Sequence, residues 1–221
     1  MSNTELRGPR AALLDRAIAV RRVHTIDEYR QCERLQEQVW GPGDVAGVPM
    51  LDLLTAQENG GMVLGAFTAD GSLIGFVFSF LGLSGDRRVK HCSVILGVAA
   101  EHRGQGIGLR LKQAQRDEAL AQGLDLITWT FDPLLAVNAN LNVRRLGAVA
   151  HDYRVNHYAA AYGLNGGLDT DRLIVEWWLR RPRRVDPASL LATAVPVART
   201  CPDPITELPT IIDVDLDQDA A

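Results

Sequence analysis

Apolar positions along the chain fall into short β-rich runs and longer stretches of helical period. Their alternation predicts the order β, α, α, β, β, β, α, β, α, β, β. "AVRRVHT" (19–25) alternates like a strand. "TIDEYRQCERLQEQVW" then takes helical spacing, with Ile26, Tyr29, Leu35 and Val39 on one face and Thr25 and Glu28 spaced as a capping box. "MLDLLTAQENGG" predicts a second short helix stopped by Gly60 and Gly61. Asp70-Gly71 lies between two apolar β-rich runs and predicts a hairpin. "RVKHCSVILGVAA" is the next strand. Residues 106–123 read as a helix with Leu109, Ala114 and Leu120 among its apolar positions and Gly123 as its stop. "LDLITWTFD" has the composition of a buried strand. A short helix to Gly147 and two strands, 148–162 and 171–180, complete the pattern. Trp177 and Trp178 are adjacent on the last strand, so they take opposite faces and one enters the core. A helix between two strands of one sheet implies a parallel crossover around 94–131, whereas the hairpins are antiparallel. The expectation is a mixed α/β sheet.

Composition changes this picture at the edges. A length of 221 residues suits one domain with tails. The expected division is an N-terminal arm (1–18), a body (19–180) and a Pro-rich C-terminal extension with an acidic end (181–221). A net charge of −4 speaks against a nucleic-acid binder. No window has the apolar length of a membrane span. The start carries no secretory pattern. Cys32, Cys92 and Cys201 are far apart and form no metal-ligand spacing, so no metal is expected and reduced thiols point to a cytoplasmic setting. Of 23 basic residues only Lys90 and Lys112 are lysines.

The densest chemical signal is "VILGVAAEHRGQGIGLRLK" (94–112), where a strand passes into a helix across Gly104, Gly106 and Gly108. Glycines let a ligand approach the main chain, and a helix N-terminus offers unpaired N–H groups, so the junction suits a phosphate. The Walker spacing is absent, and the dinucleotide fingerprint fails at Leu109. A third spacing fits: Arg or Gln, two residues, Gly, one residue, then Gly or Ala, met by Arg103, Gly106 and Gly108.

That stretch resembles the coenzyme A pyrophosphate loop of the GNAT acyltransferases, and the element order over 19–180 is similar to theirs. "NANLNVRRLGA" sits where that family has its final helix. Other stretches, among them "WTFDPLLAVNANLN" and "YGLNGGLDTDRLIVEWW", resemble a branch linked to N-acylation of amino acids, including N-succinylation. The resemblance implies a GNAT fold: a central sheet of about six or seven strands, splayed between two central parallel strands and flanked by helices. It implies acetyl-CoA or another acyl-CoA as co-substrate and a small-molecule amine as acceptor. The backbone of Gly104, Gln105, Gly106, Ile107, Gly108 and Leu109, with Arg103 and Arg110 nearby, would hold the pyrophosphate. Leu96, Gly97 and Val98 would pair with the pantetheine arm, and Asn138 would help hold the cofactor.

For proton transfer the candidates are His91, with Ser93, Cys92 and Glu101 on or near the same strand. The tyrosine that many family members place four residues before the closing glycine is absent, since Val143 stands there. The acid is therefore Tyr158, Tyr162 or solvent. Trp129, Asp132, Asn165 and Arg172 are the acceptor-side candidates, although Asp132 equally suits a helix cap. Three functions remain open: a small-amine N-acyltransferase using acetyl-CoA or succinyl-CoA, a CoA-binding module without catalysis, and a protein or peptide N-acetyltransferase. A homodimer is left open.

Overall fold

The computed structural model describes residues 18–41, 47–158 and 170–181. In chain order the elements are β1 (Ala19–Arg22), α1 (Ile26–Trp40), α2 (Met50–Glu58), β2 (Met62–Phe67), β3 (Leu73–Leu83), β4 (Val89–Val98), α3 (Ile107–Ala121), β5 (Leu126–Phe131), α4 (Ala136–Ala139), β6 (Val149–Arg154) and β7 (Arg172–Trp178). A π-helical turn, Asn140–Arg145, continues α4. The seven strands form one sheet in the order β1-β2-β3-β4-β5-β7-β6. Only β4 and β5 run parallel. The predicted mixed sheet and element order are both present.

Local chemistry accounts for most boundaries. Thr25 accepts a bond from the Glu28 N–H, and the Glu28 carboxylate accepts from the His24 and Thr25 N–H groups, closing the capping box of α1. Gly71, at φ 85°, makes the β2–β3 turn that Asp70-Gly71 predicts. β6 stops at Arg154, short of the predicted run. Asn156 at φ 47° turns the chain there, and Asp171 accepts from the Asn156 N–H at 2.9 Å.

The sheet is covered on both faces. On one, Ile107, Leu111 and Ala119 of α3 pack with Leu64, Val77, Ile127, Val175 and Trp177. On the other, Tyr29, Cys32, Leu35 and Leu53 pack with Val63, Phe67, Phe76 and Phe78. Trp177 is the core member of its pair. The guanidinium groups of Arg88 and Arg181 lie over the Trp178 ring, 5.0 and 4.5 Å from its centre.

Two helix faces differ from the apolar pattern. Ile26 is 44% exposed. The buried face of α1 instead includes Cys32 and Gln36, whose amide bonds the Val48 carbonyl and N–H and ties α1 to the approach of α2. In α3, Leu109, Ala114 and Leu120 are only half-buried, and the buried row carries two polar residues, Lys112 and Gln115. The N-terminal arm up to residue 17, the extension from residue 182, Cys201, Tyr162 and Asn165 lie outside the described residues.

Candidate active site

β4 and β5 are held together by two residue pairs, His91 with Ile127 and Cys92 with Thr128. Both strands then continue, to Val98 and Phe131, without pairing to each other. On its other side β4 stays paired with β3 as far as Val98 opposite Gly75. The cause of the divergence lies in that ladder. Ser79 pairs with Ser93 and Phe78 with Ile95, so Val94 is an extra residue in β4. A bulge of this kind bends the strand and sharpens its twist, here away from β5. The edge of β4 that faces β5 is therefore open from Ser93 to Val98, a stretch that includes Leu96 and Gly97. At Gly97 a side chain would also be crowded. A Cβ there would stand 3.1 Å from the Trp40 ring.

The open edge leads to the glycine loop. After the 3-10 turn Ala100–His102, Gly104 and Gly106 take φ of 76° and 81°, values that strain any residue with a Cβ. A Cβ at either would meet no atom within 4 Å, so the loop faces open space. Gly106 begins α3 with no side-chain cap, and the first turn holds no acid. Uncapped N–H groups and the positive dipole end thus point outward, an arrangement suited to a polyanion. Arg103 donates from Nε to the Val98 carbonyl at 3.1 Å, and the Gln105 amide donates to the Glu101 carbonyl at 3.2 Å. These two side chains brace the loop. Arg110 donates to the Ile18 carbonyl at 2.7 Å. Ile107 is buried under the loop, and Gly108 faces Leu96 and Leu141 across the gap. Asn138 is half-buried at the end of α4.

A buried polar cluster stands where the strands part. Lys112 of α3, 2% exposed, donates from Nζ to Ser93 Oγ (2.8 Å) and to Gln115 Oε1 (3.0 Å). The same Nζ lies 4.0 Å from the centre of the Trp129 ring. Ser93 and Trp129 are the first residues of their strands beyond the paired segment. Burial alone pulls the Lys112 ammonium down to about 7. This lysine escapes a reading of periodicity, because a charged residue scores as exposed. The scarcity of lysine in the chain is the one signal that singles it out.

His91 needs correction as a catalytic base. It is fully buried, with Nδ1 3.1 Å from Ser79 Oγ and Nε2 2.6 Å from Gln122 Oε1. Gln122 donates its amide N–H to the Gly60 carbonyl, so its oxygen accepts from His91, and Nδ1 is left to accept from Ser79. Burial holds the ring below its ordinary value and thus neutral. A base must reach an incoming amine, and both nitrogens of His91 are occupied inside the protein. Asp132 does not cap the following helix, whose N-cap is Leu135 with no side-chain bond; its Oδ1 accepts from the Leu134 N–H at 2.9 Å and closes the turn before it.

The opposite face of β5 carries a second group. Ile127, Trp129 and Phe131 point to α3, so Thr128 and Thr130 point away. The Tyr158 hydroxyl lies 2.9 Å from Thr130 Oγ1. The Arg172 guanidinium is 5.2 Å from the centre of the Tyr158 ring and donates to the Asp171 carbonyl at 2.7 Å. Arg172 makes no ion pair among the described residues; Asp171 is engaged by the Tyr153 hydroxyl and the Asn156 N–H. No cluster of three metal-ligating side chains occurs among the described residues, and no helix there is long and apolar enough to cross a membrane.

Comparison with known proteins agrees with this geometry. The sequence profile of the acetyltransferase (GNAT) family matches residues 25–147. No curated protein sequence matches the chain. Among solved structures, the ribosomal-protein-S18-alanine N-acetyltransferase from Escherichia coli superposes with a TM-score of 0.58 at 14% identity, covering 76% of this chain and 99% of that one. The yncA putative acetyltransferase from Salmonella typhimurium, solved with its cofactor acetyl-CoA, gives 0.58 at 19% identity, covering 77% and 99%. A chain of the NatC complex bound to Gag peptide and CoA gives 0.59 at 13% identity, covering 73% and 98%.

Proposed function

Because the chain belongs to the GNAT acetyltransferase family, and is an acyl-CoA-dependent N-acyltransferase on that ground, we propose that its acceptor is a small amine bearing a carboxylate, an amino acid or a close relative. The carrying observation is Arg172. It is a half-buried cation without an ion-pair partner among the described residues, stacked on Tyr158 beside the far end of β5. A guanidinium binds a carboxylate through two parallel hydrogen bonds. The Tyr158 hydroxyl at Thr130 places a second polar group on the same face. On this reading the acyl-CoA lies along the open edge of β4, and the acceptor approaches from the face opposite α3.

The cofactor path has a defined length. From the glycine loop at Val98 back to Ser93 the open edge spans roughly 16 Å, at about 3.3 Å per residue. An extended pantetheine arm has about that reach. The thioester then arrives at the bulge, and a backbone N–H there polarises its carbonyl. The amine attacks, the C–N bond forms, the C–S bond breaks with its electron pair on sulfur, and the acceptor nitrogen, cationic after its attack, gives its extra proton to solvent.

The test is an acceptor panel of amino acids, their decarboxylated amines and short peptides, read by mass spectrometry with acetyl-CoA and succinyl-CoA as donors. Amino acids should react in strong preference to their decarboxylated amines. Arg172→Lys should raise the acceptor KM at least tenfold, about 1.4 kcal/mol, and leave the acyl-CoA KM unchanged. Equal reaction of amino acid and decarboxylated amine removes the carboxylate site. Preference for peptides moves the chain to the activity its S18-alanine and NatC neighbours carry. Absence of CoA release with every acceptor leaves a binding module.

A further inference from the structure

Departure of the thiolate needs a proton, and the position where relatives place a tyrosine holds Val143, which has no proton to give and is 48% exposed. We infer that the Ser93–Lys112 pair is the proton source: the Ser93 hydroxyl donates to the leaving sulfur, and the Lys112 ammonium resupplies it. The inference rests on the acyltransferase reading above and deepens it.

Position is the first argument. The pantetheine path ends at Ser93, the first residue of β4 beyond its pairing with β5, and Lys112 stands directly behind that hydroxyl. Hydrogen bonding is the second. Ser93 Oγ accepts from Lys112 Nζ at 2.8 Å and from Gln115 Nε2 at 3.3 Å. Its own hydrogen has only Gln115 Oε1, at 3.4 Å, and that oxygen already accepts from Lys112. The hydroxyl hydrogen is thus weakly held and available to a sulfur entering the gap.

Electrostatics is the third argument. Every group bonded to or stacked on Lys112 is neutral: Ser93 on β4, Gln115 on α3 and Trp129 on β5. The other ionisable group on this face of β4, His91, is neutral and turned to Ser79 and Gln122. No carboxylate pairs with Lys112 among the described residues. A buried cation without a counter-ion is costly, and its proton is correspondingly easy to release. An arginine could not release one, which gives a reason for lysine here in a chain that otherwise prefers arginine. The balance is simple. As the C–S bond breaks, the sulfur takes the Ser93 proton and becomes the CoA thiol. Ser93 takes a proton from Lys112, and the neutral amine regains one from solvent. The thiolate is a stronger base than the Lys112 amine, whose ammonium burial holds at about 7, so the net transfer from Lys112 to sulfur runs downhill when both protons move together through Ser93.

The test compares Ser93→Ala, Lys112→Met and the double variant with the unaltered enzyme, by acyl-CoA affinity, kcat and the pH dependence of kcat. Acyl-CoA affinity should stay within about twofold, which shows that each variant is folded. Each single change should lower kcat by at least tenfold, and by up to about a thousandfold. The double variant should be no worse than the poorer single one, because the two residues serve one proton. The unaltered enzyme should lose kcat as pH rises past neutrality, and both single variants should lack that fall. Tyr158→Phe should keep it. If Ser93→Ala retains kcat, or the alkaline fall survives in Lys112→Met, the pair is not the proton source. If the fall disappears in Tyr158→Phe instead, that hydroxyl is the donor. An enzyme that binds acyl-CoA but releases no thiol with any acceptor refutes the acyltransferase reading itself.

Discussion

Two glycines of the loop, two residues apart, should respond to the same substitution in opposite ways. Gly106 sits at φ 81° and ψ 4°. An alanine there meets no steric obstacle, since no atom lies within 4 Å of its Cβ. Its cost is therefore backbone strain alone, about 1–2 kcal/mol for a left-handed residue. For a chain of this size that corresponds to a fall in Tm of roughly 2–8 °C. Gly108 lies inside the first turn of α3. Its Cβ would rest 3.7 Å from Leu96 and 3.9 Å from Leu141, ordinary contact distances. Alanine is the better helix former by about 0.5–1 kcal/mol, so Gly108→Ala should raise Tm by roughly 1–4 °C. The Gly106 methyl would enter the open space in front of the loop, and the Gly108 methyl would lie beside Leu96 on the open edge of β4, so both would crowd the proposed cofactor path. Both variants should therefore bind CoA at least tenfold more weakly, a loss of about 1.4 kcal/mol. Thermal melting without ligand and titration calorimetry with CoA measure the two effects separately. Unchanged CoA affinity in both variants refutes the loop as the phosphate site. A fall in Tm for Gly108→Ala refutes the account of its surroundings.

Other outcomes follow from the buried polar groups. His91→Ala should cost about 2–4 kcal/mol in urea unfolding, because it leaves a cavity and strands Ser79 and Gln122; turnover at saturating substrates should change by less than about threefold, and a loss beyond that returns His91 to the chemistry. Lys112 is held at about 7 in the folded state against an ordinary 10.5. Between those values the unfolded chain binds the extra proton, so the lysine penalises folding near neutrality, and stability rises as pH climbs through that window. The stability difference between the unaltered protein and Lys112→Met should track pH there, and parallel curves in denaturant titrations contradict the burial.

Periodicity recovers the layers of the fold because apolar burial dominates it. The hairpin at Asp70-Gly71, the capping box at Thr25 and Glu28 and the helix after Gly106 each rest on a local rule that tertiary packing leaves intact. The glycine loop is legible for the same reason, as positive φ at Gly104 and Gly106 writes itself into composition. What stays hidden is chemistry that depends on which strands meet. The two-pair junction of β4 and β5 follows from the bulge at Val94, and no residue type marks that bulge in the sequence. Lys112 and Gln115 face inward because Ser93 and Trp129 stand opposite them, a relation across nineteen and seventeen residues from Lys112. His91 looks like a base in the sequence for want of its partners, Ser79 and Gln122, which satisfy it from two other elements.

The seven-stranded sheet is joined at its middle by only two residue pairs, with β1 to β4 on one side and β5 to β7 on the other. On the proposed reading, an acyl-CoA along the open edge of β4 would supply a missing strand, so the cofactor would complete the architecture as well as the chemistry. Its binding should slow amide hydrogen exchange along β4 and β5 together. Ligand at a hundred times its Kd adds about 2.7 kcal/mol to folding, and here that gain is delivered to the one seam the polypeptide leaves unsewn.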